Sequence, residues 1–484
     1  MRYTEIAHAT PFEGAPRINA PAVYGASPNK PLLLKIPVTG QRPIRYGARG
    51  LPEGVTLENG ILTGAAAREG RYAVTLTAEN ALGKAEKPLT LEIRQDTVQL
   101  TPLMGFTSWN AFGYEVTQAD MEATADRMTE LGLSEYGYSF INTDSGWQGA
   151  YGGPFDAIQP NERFPDMPGM VARLHAKGYK CGIYSTPMLH AFGTSWDYVP
   201  LPPGCTQGEP DPRFADTRGG IGVIRKEREN AQQWAAWGFD YLKYDWRPSD
   251  PWNAELMRQE LIRTDRDFGF CVTVQARPEY HGYWSRYCSS WRCNSDSVRT
   301  WANLMRIYQT YFDSFTYINR GHFFDLDMLD TGCCRLFDKL GYTQRPDFGF
   351  TEDEQLVAYS LRAFLASPIQ ISTTLETIDD FELSMYCNEE VIAINQDAAC
   401  DPAKLCIQLE DGKKCIHVFR RVLANGDRAY MALNLGETAE NVTLWQDAPA
   451  GIRDVWAKRD LGRTDAVRIR MEPHTVRIFR TSAE

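Results

Sequence analysis

At 484 residues the chain exceeds one ordinary domain and predicts two or three. Its 43% hydrophobic and 23% charged content fits a globular protein, and no apolar run is long enough to span a bilayer. The net charge of -11 argues against a nucleic-acid or anionic-membrane partner.

The opening, Met1 to His8, lacks the apolar core of a secretory signal. The 11 cysteines are scattered without Cys-x-x-Cys spacing, which predicts reduced, inert thiols and a cytoplasmic location. The 7 histidines show no His-x-x-x-His pattern, so zinc ligation is not expected, and no metal or other cofactor is called for. The 12 Trp and 23 Tyr suit sugar-stacking surfaces and large cores equally.

Residues 1–97 read as a small β-sandwich, with strands at Lys35–Val38, Gly60–Gly64, Tyr72–Ala78 and Pro88–Ile93. Strands and helices alternate through residues 98–400. Met104–Trp109 precedes a helix over Gln118–Leu131, with acids on one face and Met121, Ala125 and Met128 on the other. Strands follow at Tyr138–Thr143, Lys180–Tyr184, Tyr241–Tyr244, Gly269–Val274, Ser289–Arg292, Phe315–Ile318 and Pro368–Ser372. Helices are expected at Met170–Lys177, Ile224–Trp237, Ala254–Arg266, Val298–Tyr311 and Glu352–Leu365, with a Pro- and Gly-rich loop over Thr186–Gly220.

This many βα units favours a (β/α)8 barrel over a doubly wound sheet, and no glycine-rich phosphate fingerprint follows an early strand. Residues 401–484 return to β, with strands at Lys414–Arg420, Arg428–Asn434, Asn441–Trp445 and Thr475–Arg480 predicting a second sandwich.

Several acids fall at the C-terminal ends of barrel strands, where reacting groups gather. Asp144 follows one strand, Asp245 ends another, Asp296 lies beyond Trp291-Arg292, and Asp325 and Asp327 sit in His322–Leu329. Clustered anions repel unless cations or bound hydroxyls compensate, and Lys243 and Arg292 are placed to do so. Paired carboxylates with aromatic walls match glycoside hydrolysis, one acid attacking the anomeric carbon and the other protonating the leaving oxygen. Metal-dependent phosphotransfer is the weaker rival, because no phosphate-binding loop is present. A silent carbohydrate-binding scaffold is a further alternative, though binding alone does not require such a pair.

These residues carry a family likeness. Thr101–Gly113, Asp240-Tyr-Leu-Lys-Tyr-Asp245, Trp291-Arg-Cys-Asn-Ser-Asp296, Asp325-Leu-Asp-Met-Leu329 and Glu390–Asp397 resemble, in order, motifs of glycoside hydrolase family 27, the α-galactosidases and α-N-acetylgalactosaminidases. Gly50–Gly64 resembles the immunoglobulin-like modules attached to many bacterial glycosidases.

The resemblance implies a retaining exo-acting hydrolase, with Asp245 as nucleophile and Asp296 as general acid/base. It also implies a sugar pocket lined by Trp109, Asp144, Ser145, Trp147, Tyr184, Lys243, Gln275, Arg292 and Asp327. A glycoside is the expected partner, and homo-oligomerisation is left open. Two departures bear on the glycone. Ser145 replaces the family's second sugar-binding carboxylate, and Val274-Gln-Ala-Arg-Pro278 replaces a Cys-Glu-Trp segment, so that Gln275 stands near the 2-substituent. Galactose, β-L-arabinopyranoside, α-N-acetylgalactosaminide and isomalto-type glucan thus all remain within the implied range. Gly146 and Arg247 replace cysteines that form disulfides in secreted relatives, which agrees with a reducing compartment.

Overall fold

The computed structural model describes residues 2–195, 197–200, 208–273 and 276–482. Its centre is a closed eight-stranded parallel barrel. The strands are Met104–Thr107 (β1), Phe140–Thr143 (β2), Lys180–Ser185 (β3), Tyr241–Asp245 (β4), Gly269–Thr273 (β5), Ser290–Trp291 (β6), Phe323–Phe324 (β7) and Ile369–Ile371 (β8). From β1 to β7 each pairs with its chain-order neighbour, β8 pairs with β1, and a single parallel bridge from Leu329, beyond β7, to Ile371 closes the ring.

Helix starts follow capping chemistry more closely than apolar periodicity. Thr117 and Asp120 form a reciprocal capping box at Gln118–Glu130, as do Thr351 and Glu354 at Glu352–Phe364. Asp166 and Asp250 cap helices that begin at Met167 and Pro251, each with proline in the first turn. Those helices therefore start three residues earlier than their apolar pattern suggests. Thr300 delays the next one to Trp301.

Three strand expectations need correction. Phe315–Tyr317 is a 3-10 turn despite its aromatic content, and the seventh strand is the short Phe323–Phe324. The strand expected over Lys35–Val38 ends at Lys35, because Pro37 has no N–H to donate; Val38–Thr39 pairs elsewhere, with Arg17–Ile18. Within the expected loop over Thr186–Gly220, His190–Ser195 and Asp197–Pro200 form an antiparallel hairpin, and residues 201–207 lie outside those described.

The N-terminal strands form facing four- and three-stranded sheets around Ile36, Leu62, Leu76 and Leu91. This sandwich is anchored to the barrel by Lys35 and Arg42, which hold the buried Glu135 at 3.2 and 3.1 Å. The C-terminal region is a six-stranded antiparallel sheet whose long, bulged Glu440–Asp454 and Arg459–Met471 strands share one sandwich core with Val418, Tyr430 and Phe479. Arg421 docks it to the barrel by donating to the carbonyls of Phe364, Ile394 and Asp401.

Candidate active site

Side chains of β4 alternate across the barrel wall. Leu242 and Tyr244 join the large core outside it, while Tyr241, Lys243 and Asp245 face the axis. Leu103, Phe140, Tyr241 and Cys271 form a separate apolar plug below. β3 contributes glycine to this packed interior: a Cβ at Gly182 would stand 2.0 Å from Asn142 Oδ1 and 2.8 Å from the Tyr241 ring. Above the plug Asn142 Nδ2 donates to Gln370 Oε1 at 2.9 Å, and the charged inward positions lie at the strands' C-terminal ends.

There the expected residues meet in linked pairs. Lys243 Nζ donates to Asp144 Oδ2 at 2.7 Å, and the Ser145 backbone N–H donates to Asp144 Oδ1 at the same distance. Burial would lower the Lys243 ammonium, but Asp144, with Asp245 and Asp296 beyond it, outweighs burial and keeps it charged. Arg292, 1% exposed, donates to Asp296 at 2.7 Å and pairs with Asp327 through its other terminal nitrogen.

Asp245 is buried, 8% exposed. Its Oδ2 accepts the Tyr184 hydroxyl at 3.0 Å, while Oδ1 has no hydrogen-bond partner. Burial pushes its carboxyl up to about 6; Lys243 opposes the rise and Asp296 reinforces it. Asp296 is more open, its side chain 27% exposed. Burial would raise it as well, but Arg292 and Lys243 prevail and hold it below the usual carboxylate range. The two acids thus sit in one shared field, with Asp245 the more basic.

Asp327 occupies the left-handed region at φ 69°, a costly conformation for a non-glycine residue. Arg362, buried on the helix Glu352–Phe364, fixes the turn by donating to the carbonyls of Leu326, Asp327 and Met328 at 3.1, 2.8 and 2.6 Å. Beneath it Asp330 accepts from Ser297 Oγ at 3.0 Å, and burial pushes its carboxyl up to about 7. Sequence reasoning missed Arg362, Ser297 and Asp330. The available signal was an arginine on the apolar face of an amphipathic helix. Arg247 was also missed as an electrostatic contributor, although its charge favours the ionised forms of both Asp245 and Asp296.

Trp109, partly exposed, stands beyond β1 on the short helix Ser108–Phe112. Trp147 lies deeper than Trp109. It is fully buried, edge-on to Trp237, and its indole N–H donates to the Tyr184 carbonyl at 3.0 Å. Ser145 is buried beside Asp144, and Gln275 lies outside the described residues.

A carboxylate pair compensated by lysine and arginine at the C-terminal mouth of a (β/α)8 barrel is the arrangement of a glycoside hydrolase. A family model described as alpha galactosidase A matches residues 215–397, and one described as the alpha galactosidase C-terminal beta sandwich domain matches residues 413–481. Alpha-galactosidase 2 of Arabidopsis thaliana is 28% identical over 385 residues, covering 77% of this chain and 82% of its own. Alpha-galactosidase A of Cellvibrio japonicus is 27% identical over 359 residues, covering 70% and 77%. A crystal structure of an alpha-galactosidase/melibiase candidate from Bacteroides fragilis superposes with a TM-score of 0.85 at 28% identity, covering 98% of this chain and 99% of that one. The family models, the relatives and the solved structure together support an α-galactosidase-like protein of glycoside hydrolase family 27.

Proposed function

We propose that the protein is a retaining exo-glycosidase that releases a terminal α-linked galactose or galactose-like sugar. Asp245 attacks the anomeric carbon, and Asp296 protonates the departing oxygen and then activates water. The observation carrying this reading is Asp245 itself, a buried carboxylate with one oxygen held by Tyr184 and the other unpartnered, set between Lys243 and Arg292.

In the ligand-free geometry the pair's first proton goes to Asp245, since Arg292 grips Asp296. Turnover needs the reverse. Sugar hydroxyls that engage Arg292 and Lys243 loosen their hold on Asp296, and the leaving oxygen gives its proton a partner. Asp144 and Lys243 bind glycone hydroxyls in this scheme, and Asp327 holds Arg292 in place.

A second reading keeps the mechanism and changes the sugar. Ser145 supplies a hydroxyl where the family has a carboxylate, and a site built to pair particular hydroxyls discriminates strongly against mismatches. β-L-Arabinopyranoside, α-N-acetylgalactosaminide and isomalto-type substrates are its candidates. The 10 described cysteines are all free, which supports a reducing, cytoplasmic setting. No described helix is long and apolar enough to cross a membrane.

The test is hydrolysis of aryl α-galactoside, α-N-acetylgalactosaminide, β-L-arabinopyranoside and α-glucoside. Highest kcat/KM on the galactoside supports the first reading and highest on another sugar the second. Turnover of none contradicts both.

A further inference from the structure

Far from the barrel mouth, the C-terminal sheet gathers three metal-binding side chains. Strands Lys404–Asp411 and Lys414–Val422 pair antiparallel with Glu410 opposite Cys415, and His417 lies two residues further on the same face. Glu410 Oε1 stands 2.8 Å from His417 Nε2, and Cys415 Sγ is 3.9 Å from each of those atoms. Tetrahedral zinc, with bonds of about 2.3 Å to sulfur and about 2.1 Å to nitrogen and oxygen, needs donor–donor edges of about 3.3–3.6 Å. Every edge of the triangle is thus about 0.6 Å or less from one face of a zinc tetrahedron.

Two neighbours orient the donors as outer partners do in metal sites. The Tyr308 hydroxyl lies 2.5 Å from His417 Nδ1, and Gln408 Nε2 donates to Glu410 Oε1 at 3.0 Å. His417 is buried while Glu410 is half exposed, so an ion has a path in from solvent. Spacing rules overlook this cluster because its donors come from two strands.

We propose that Glu410, Cys415 and His417 form a three-donor site for zinc or a similar divalent transition ion, with the fourth position open to water. Thiolate and imidazole together favour such an ion over calcium or magnesium. The charges cancel, two positive on the ion against one each on thiolate and carboxylate. Binding transfers the Cys415 thiol proton to solvent. The imidazole proton resides on Nδ1 in the bound form and is donated to the Tyr308 oxygen. Because the bound ligand is the thiolate, affinity increases with pH. Tyr308 belongs to the barrel helix Trp301–Gln309, so the ion clamps the hairpin to the barrel.

The experiment is titration of the full chain with cobalt(II) under reducing conditions, in a background where the exposed Cys333 and Cys406 are serine. The expected result is a saturable thiolate-to-cobalt absorption band at one equivalent, discharged by zinc, with about one proton released per ion. Cys415→Ser should abolish the band and the zinc-dependent rise in Tm. Gln408→Ala should weaken binding by about 10- to 100-fold. If Cys415→Ser does not fold, Glu410→Gln must weaken binding at least tenfold. No saturable band, or a band unchanged in the folded variant, overturns the proposal.

Discussion

Asp245 concentrates the competing demands on the site. A carboxylate raised to about 6 by burial is less stable as an anion in the folded chain than in the unfolded one, where the ordinary value is about 4. The sign follows directly: the cost is present above about pH 6 and fades as pH falls towards 4, because the native state then binds the proton first. Asp245→Asn should therefore abolish turnover yet raise stability at pH 7 by about 2 kcal/mol, read by denaturant unfolding. Unchanged or lower stability would contradict the electrostatic account. Because the reactive form carries one proton shared by the pair, the same value predicts that kcat/KM, which reports the free enzyme, falls on the alkaline side with a midpoint near 6. Asp296→Ala should lose far more activity on poor leaving groups than on activated aryl glycosides, and equal losses would count against Asp296 as the acid.

At the level of elements, the barrel was legible because β4, β2 and β3 are apolar runs that each deliver an acid, a tyrosine or a lysine at the end. What could not be read was local. Phe323–Phe324 is too short to carry a period, and the aromatic Phe315–Ile318 imitated a strand. In the C-terminal sheet, Lys404–Asp411 and Arg459–Met471 escaped because edge strands carry charge on both faces.

Arg362 is the element-scale counterpart of Asp245, a buried fork that holds three consecutive carbonyls around the strained Asp327. Arg362→Lys keeps the charge and loses the fork. It should lower kcat more than tenfold and shift unfolding by about 2 kcal/mol, whereas an unaltered kcat would show that the turn holds itself. Gly146 makes a similar point, since at φ 116° a Cβ would stand 2.7 Å from the Tyr114 carbonyl oxygen. This chain therefore has no room for a cysteine at that position.

Across the whole molecule, the two sandwiches are attached through charged seams. Glu135 is buried against Lys35 and Arg42 of the N-terminal sandwich, and Arg258 and Arg320 reach Asp96 and Glu92 across the same boundary. A chain starting at residue 98 loses these ion pairs and bares the barrel surface that the sandwich covers, and its Tm should fall by several degrees or more. An unchanged Tm would make the sandwich an independent passenger. These seams were invisible in the sequence, because each joins residues about 100 or more positions apart.

The central claim, covalent catalysis by Asp245, is tested most directly by trapping. The enzyme is incubated with an activated fluorosugar whose glycosyl-enzyme hydrolyses slowly, then digested and its peptides weighed. The account predicts one added glycosyl group, on the peptide bearing Asp245 and specifically on that side chain. A label on Asp296 or elsewhere, or turnover with no covalent adduct, would contradict it.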